Sequence, residues 1–300
     1  TMPDFRAAKD EVHGGSVVGD VRRRENAARL RTFRSTVWRY WKKEGRHDLP
    51  WRKTKDPYRI LVSEMMLQQT QVPRVIGKYK EFLKAFPTVK ALAKASLSDV
   101  LKIWSGLGYN RRAKYLHDAT KILTKNGVHF NKPTGLLKCT GVGPYTRAAV
   151  RVFAFNKPLT MIETNIRTVY MYHFYNSRNS SYSRKDGTVT DKEILVLAEK
   201  AAEGQDSRTW HWALMDYGAH LKKSGVRNNN RSAHYTKQSK FEGSLRQIRG
   251  AILRALHSGP KAEKTLNLPR SDLGKSKKAL AGLARDGLIV KEKGKWRIAS

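Results

Sequence analysis

The sequence predicts an all-α body followed by a small α+β module, on three observations. Apolar residues recur at spacings of three and four from about residue 28, as in Leu30, Phe33, Val37, Trp38 and Trp41. Gly, Pro, Asn or Ser occupies almost every break between periodic segments. The terminal "GLIVKEKGKWRIAS" departs from this period and reads as a β-hairpin turning at Lys293-Gly294.

Residues 1–27 are polar, carry "RRRE" at 22–25, and read as a basic, partly helical arm. A body over 28–222 follows. "DLPWRKTKDPY" is a loop whose Asp56-Pro57 supplies a helix cap and first position. Helices are expected at about 57–69, 72–86, 88–95, 97–105, 110–126, 134–138, 144–155 and 163–175. A polar loop at 176–190 precedes helices at 191–203 and 207–222, and 223–242 reads as a basic linker. The module at 243–300 should hold a helix at about 244–257, a turn at Gly259-Pro260, a short helix near 261–266, a third helix at 271–286 and the hairpin. Three helices and then a basic hairpin is the order of a winged-helix domain. No long-period repeat is present.

Composition narrows the partners. Sixty Lys and Arg against 25 Asp and Glu leave a net +35 over 300 residues. Residues 231–300 carry 17 basic and 5 acidic side chains, a local +12, so the basicity is not confined to the tail. A polyanion is the natural partner, nucleic acid before an acidic membrane surface. With 39% hydrophobic residues the chain can build a core, which excludes global disorder. Cys139 is the one cysteine, which excludes internal disulfides and any all-cysteine metal or iron–sulfur site. No apolar run approaches the ~18 residues of a membrane helix, and no secretory signal is evident. The expectation is a cytoplasmic, nucleoid-associated monomer with no cofactor. Trp210, Trp212, His173, His211 and His220 read as core or surface, and no His, Cys and carboxylate set has metal-ligand spacing.

Two stretches carry candidate chemistry. In "LLKCTGVGPYTRAAV", Gly141-Val142-Gly143 separates two helical segments and Pro144 starts the second. Glycines there let successive N–H groups converge outward, a nest for a phosphate beside a helix N-terminus. Twenty residues beyond Gly143, in "MIETNIRTV", Glu163 opens another helix. A second acid, Glu64, sits in "SEMMLQQTQV" among Met65, Met66 and Leu67, in what otherwise looks like buried core.

Across about residues 28–222 the chain resembles the helix–hairpin–helix DNA glycosylases, and within them the adenine glycosylases of the MutY type. The resemblance rests on "LPWRKTKDPYRILVSEMMLQQTQV", "FPTVKALAKASLSDVLKIWSGLGYNRRAKYLH", "GVGPYT" and the acid-bearing helix start at 163. It implies two helical lobes with a cleft for mismatched or damaged double-stranded DNA between them. Glu64 then matches the acid that protonates N7 of a flipped-out adenine, and burial among apolar neighbours would raise its pKa toward that task. Glu163 matches the family's aspartate, which stabilises the sugar cation. A charge ~4 Å from that cation is worth roughly 4 kcal/mol at an effective dielectric of 20, or about three orders of magnitude in rate. Glu in place of Asp is a departure: a misplacement of about 1 Å can cost ~10²-fold. Asn165 matches the asparagine two residues on. Tyr145 stands where bifunctional relatives carry a Schiff-base lysine, so a monofunctional hydrolase is implied.

Gln68, Gln69 and Tyr109 match residues that wedge into the base stack. Arg111, Arg112 and Lys114 follow and suit phosphates. Trp51 and Arg52 match the loop entering the pocket. Two further departures stand out. "KKSGVRNNNRSAHY" replaces the cysteine loop that usually holds an iron–sulfur cluster, and the short terminal module is expected to stand in place of the usual domain that reads oxidised guanine. The expected activity is hydrolysis of mispaired adenine opposite guanine or 8-oxoguanine. A thymine or uracil mismatch glycosylase on the same scaffold and a non-catalytic damage-binding protein are the alternatives. "SEMMLQQTQV" weighs against the first, since a pyrimidine offers no N7.

Overall fold

Helix caps fix where the elements begin. In the computed structural model, which describes residues 17–125, 130, 135–137, 139–175, 188–233, 240–266 and 273–300, Asp56 accepts from the N–H groups of Tyr58 and Arg59 and Pro57 takes the first position of α2, Pro57–Leu67. Before it, α1 runs unbroken over Val17–Glu44. The expected arm boundary at 27/28 therefore falls inside a helix; residues 1–16 lie outside the described residues. After it come α3 (Val72–Ala85), α4 (Val89–Lys94), α5 (Leu97–Trp104), α6 (Arg111–Lys125), α7 (Pro144–Phe155), α8 (Thr164–Phe174), α9 (Asp191–Ala202) and α10 (Ser207–Lys223). Thr88, Ser96, Thr190 and Asp206 cap α4, α5, α9 and α10 through their side chains. The helix expected at 134–138 is a turn where it is described, over 135–137, and most of the polar loop at 176–190 lies outside the described residues.

The buried side chains form two clusters. The first gathers α2 to α7 around Ile60, Leu61, Phe82, Trp104 and Leu116. The second packs Phe33, Val37 and Trp41 of α1 against α8, α9 and α10, with Tyr170, Phe174 and Trp210 at its centre. Two lobes follow, each with its own core, and the chain passes between them after α1 and again between α7 and α8. Trp212 and Met215 of α10 touch both clusters and line the seam.

The terminal module contains α11 (Leu245–Leu256), α12 (Leu273–Arg285) and a three-stranded antiparallel sheet. The short helix expected at 261–266 is instead β1, Lys261–Ala262, running into a single 3₁₀ turn at Glu263–Thr265. Its backbone pairs with β3 (Lys295–Ile298), which also pairs with β2 (Ile289–Glu292), giving the order β1-β3-β2. Lys293 and Gly294, at φ 46° and 75°, make the tight turn of the hairpin. Ile248, Ile252, Leu253 and Leu256 of α11 join the first lobe's cluster, so the module is packed onto that lobe.

Nor is the stretch after α10 a free linker throughout. Asn228 donates to the Thr168 carbonyl at 3.1 Å, Asn229 to the Thr168 hydroxyl at 2.7 Å, and Arg231 to the Tyr175 carbonyl at 2.7 Å. Val189 and Arg231 to Ala233 then pair through their backbones. This polar strapping of α8 stands where the resemblance would put a cysteine-bound cluster. The residues do not fit such a group: the donors are amides and guanidinium, and Cys139 is buried in the other lobe. Among the described residues no helix is long and apolar enough to cross a membrane.

Candidate active site

Glu64 comes from the buried face of α2, one turn before that helix ends, and is only 7% exposed. Tyr145, in the first turn of α7, donates its hydroxyl to Glu64 Oε2 at 3.1 Å. Burial pushes the Glu64 carboxyl up to about 7; the Tyr145 hydrogen bond opposes this, the Glu163 charge adds to it, and Arg52 opposes it. An acid in this range holds a proton at neutral pH and can release it. Burial and the neighbouring carboxylates push the Tyr145 hydroxyl well above its ordinary value, so it stays a donor.

Glu163 arrives from the other lobe as the N-cap of α8. Its Oε1 accepts from the backbone N–H of Asn165 at 2.8 Å and of Ile166 at 2.9 Å, and the Asn165 amide donates to Oε2 at 3.2 Å. Burial raises this carboxyl; the two N–H groups, Lys222 and Arg167 favour its charged form. The longer side chain thus makes the N-cap hydrogen bonds that a capping aspartate makes, with its carboxyl held at the helix N-terminus. Glu163 is close enough to raise Glu64, so the two acids, Asn165 and Tyr145 meet at the seam between the lobes.

A second ion cluster ties the lobes together behind them. Arg52 donates to Asp216 of α10 with both terminal nitrogens, at 2.8 and 2.9 Å, and Arg46 adds its backbone N–H and guanidinium to the same carboxylate. The Arg52 guanidinium also lies 5.2 Å from the Trp41 ring and 5.4 Å from that of Trp212. Arg52 is therefore a buried tie and not part of an exposed DNA surface, while Trp51 packs edge-on to Tyr79 at 5.6 Å. Sequence reading missed Asp216. Its one signal was an acid in the apolar "ALMDYGAHL".

The hairpin places Gly141 at φ 79°, with an added Cβ only 2.0 Å from Tyr115, so only glycine fits. Val142 is buried beneath it, and Gly143 caps α7 with open space around it. Gln68 donates to the Thr146 hydroxyl at 3.1 Å. Gln69 and Tyr109, at φ 55° and 48°, hold left-handed conformations that non-glycine residues rarely adopt. Arg112 is corrected from phosphate contact to structural pin. It is 7% exposed and donates to the carbonyls of Met65, Met66, Gln68, Leu107 and Gly108. It thereby clamps the Gln68 turn to the 107–109 turn. Arg111 stays at the surface, 3.4 Å from Asp286, and Lys114 is paired with Asp118 at 2.6 Å.

Two adjoining cavities of 460 and 390 Å³ open between these turns and α11, sharing Gln69, Tyr109, Asn110 and Arg246. Glu64 lines neither; they flank Gln69 and Tyr109. Among the described residues no group of His, Cys, Asp and Glu could hold a metal ion.

Comparison with known proteins agrees with this geometry. The model described as "HhH-GPD superfamily base excision DNA repair protein" matches residues 62–189, from α2 through the hairpin to α8. The adenine DNA glycosylase of Mycolicibacterium smegmatis is 30% identical over 270 residues, covering 83% of this chain and 90% of that relative. The adenine DNA glycosylase of Buchnera aphidicola subsp. Baizongia pistaciae is 37% identical over 189 residues, 62% of this chain; the chain spans about half, 52%, of that relative. A solved thermostable thymine-DNA glycosylase superposes at a TM-score of 0.56 and 26% identity, covering 70% of this chain and 97% of that one. With a relative matched almost end to end and the family model covering both acids and the hairpin, this chain belongs to the HhH-GPD superfamily of base excision DNA repair proteins, in its adenine DNA glycosylase family.

Proposed function

We propose that the protein is a monofunctional DNA glycosylase that hydrolyses the N-glycosidic bond of an adenine mispaired with guanine or 8-oxoguanine. The observation that carries this reading is the pairing of two unlike acids at one seam. Glu64 is held protonated to about pH 7 by burial, and Glu163 is held at a helix N-terminus by three donors. Burial raises both carboxyls, but at Glu163 the two N–H groups, Lys222 and Arg167 oppose it, which supports the anionic role for Glu163 and the acid role for Glu64. Glu64 gives its proton to N7 of the flipped base. The C1′–N9 bond then breaks with its electron pair leaving on adenine, and the Glu163 carboxylate offsets the positive sugar. Water adds to C1′ and returns a proton to Glu64. Asn165 orients Glu163, and Tyr145 orients Glu64.

In this reading Gly141, Val142 and Gly143 hold a phosphate, while Gln68, Gln69 and Tyr109 fill the space the base leaves. Arg111 meets the backbone. The module at 243–300, winged-helix-like in its hairpin and helix order, extends the basic surface beside Tyr109.

Single-turnover reactions with enzyme in excess test this. Duplexes carry A opposite 8-oxoguanine, A opposite G, T opposite G and U opposite G, worked up with and without alkali, with Glu64→Gln as control. Adenine release that needs alkali and is lost in the control is expected. The 26% identity to a thymine-DNA glycosylase favours one second reading, for which thymine or uracil would be released instead. Tight binding without release would make the protein a damage sensor.

A further inference from the structure

The first residue of the stretch that replaces the cysteine loop is Lys222, in the last turn of α10. Its Nζ donates to Asn165 Oδ1 at 2.8 Å, and the Asn165 amide donates to Glu163 Oε2 at 3.2 Å. We infer that Lys222 is a positioning residue for the Glu163 carboxylate, acting through the Asn165 amide. The inference rests on the glycosylase reading for what Glu163 does, but not for how Glu163 is held.

The chemistry of the three side chains allows one arrangement. An ammonium group only donates, so the Asn165 oxygen must face Lys222. The amide nitrogen is then the end left to face Glu163, where it can only donate. The carboxylate, which only accepts, selects the same orientation, so Lys222 and Glu163 hold the amide from its two ends, and without Lys222 the oxygen end is released. The backbone makes the same corner rigid. Gly218 lies one turn before Lys222 on the same face of α10, and a Cβ there would sit 2.2 Å from the Asn165 carbonyl oxygen. The helix thus touches Asn165 twice, once at its backbone and once at its side chain.

Charge adds to orientation. Facing Glu163 are Glu64 of α2 and Tyr145 of α7, neither of which favours its charge. Arg167 of its own helix does, but its guanidinium is engaged by Asp191 at 2.6 and 2.7 Å. Lys222 is the cation supplied by α10, with Arg227 behind it. Burial lowers the Lys222 amine while Glu163 raises it, so the ammonium and the carboxylate favour each other's charged forms.

The test compares Lys222→Met and Lys222→Arg with the native chain. The Glu163 carboxyl is titrated by ¹³C NMR of glutamate-labelled protein, its resonance assigned by loss in Glu163→Gln. In Lys222→Met its midpoint should move up by about half to one pH unit, and in Lys222→Arg remain near the native value. This readout needs no turnover, so it stands or falls apart from the glycosylase reading. In single-turnover base release at saturating enzyme, Lys222→Met should shift the acid-side limb of the pH profile upward. The loss should be at most about three- to tenfold, the size of the titration shift, on the acid side of the profile, and should fade toward pH 8. In a Glu163→Gln background the Lys222→Met change should have no further effect. An unmoved Glu163 titration overturns the proposal, as does a rate loss of equal size at every pH. A change in duplex affinity alone would make Lys222 a phosphate contact and overturn it equally. Absence of release from any duplex by the native chain, with the titration shifted, would sink the glycosylase reading and leave this one intact.

Discussion

Arg246 of α11 donates to the hydroxyl of Tyr109 at 2.6 Å and holds its guanidinium 5.3 Å from the same ring. The Arg112 guanidinium lies 5.4 Å from that ring, so two cations hold an aromatic whose backbone is already in the left-handed region. If Tyr109 is the wedge, the terminal module prepares it before DNA arrives. Arg246→Met should weaken duplex binding by about tenfold, the sum of one cation–π contact and one hydrogen bond at roughly 0.5–1 kcal/mol each. Fluorescence anisotropy at fixed salt measures this, and an unchanged affinity would remove α11 from the DNA surface.

Glu64 gives a pH-dependent stability with a definite sign. Folded, it keeps its proton to about pH 7, whereas an unfolded glutamate releases it near ~4.3. Stability therefore falls as pH rises between these values, by about 4 kcal/mol once both are passed. Glu64→Gln removes the titrating group. The variant should gain about 4 kcal/mol over the native chain at pH 8 and about 1 at pH 5, by urea unfolding. A gain of equal size at both values would mean that Glu64 is not held protonated.

Tyr145 acts on the same acid. Its hydroxyl favours the Glu64 carboxylate by hydrogen bonding, so Tyr145→Phe should raise the Glu64 pKa. The alkaline limb of single-turnover release, where the acid is lost, should then move to higher pH while the maximal rate falls several-fold. A limb that stays in place would assign it to another group.

Much of the fold was legible because helices announce themselves locally. Period, cap and breaker agree at Asp56-Pro57, Thr88, Ser96 and Asp206, and each helix there begins within about two residues of its expected place. The short helix at 261–266 failed for a reason outside its own sequence: pairing with Trp296 and Lys295 makes Lys261 and Ala262 a strand. Glu64, Glu163, Asn165 and the hairpin were legible through the family resemblance more than through spacing. Arg52, Arg112 and Asp216 show what one dimension hides. All three are charged and look like surface, but each is buried by partners up to 170 residues away. Arg246 was invisible as a site residue for the same reason, since its partner Tyr109 is 137 residues earlier.

Asp216 is the test of that buried charge. Burial pushes its carboxyl up, but Arg52 and Arg46 outweigh burial and hold it below the ordinary value. Its contribution is thus present above ~3.9, the unfolded value, and is lost as pH falls through the depressed one. Asp216→Asn leaves the Arg52 guanidinium, 4% exposed, without a counter-charge, and should cost about 3 kcal/mol or more at pH 7. Arg46→Ala should cost less, because that side chain is 38% exposed. The difference between native and Asp216→Asn stability should narrow on acidification below ~4. A penalty that does not depend on pH would show that packing, and not charge, is what the substitution removes.

Gly218 separates position from charge at the other acid. α8 and α10 approach so closely there that an added methyl would lie 2.2 Å from the Asn165 carbonyl oxygen and 2.6 Å from its carbon. Those are backbone atoms, which cannot rotate away as the end of a side chain can. Gly218→Ala must therefore push the start of α8 outward, carrying Asn165 and the carboxylate that Asn165 holds. Overpacking of this kind costs about 1–3 kcal/mol, less the few tenths to ~1 kcal/mol that alanine gains over glycine inside a helix. The rate should suffer more than the stability, since a displacement of about 1 Å at a catalytic group can cost ~10²-fold. No charge is altered, so the pH profile of the residual activity should keep its native limbs. Urea unfolding and single-turnover release across pH 5–9 on the same preparation read all three quantities. A native rate in a destabilised protein would mean that the lobe yields elsewhere and the Glu163 corner does not move.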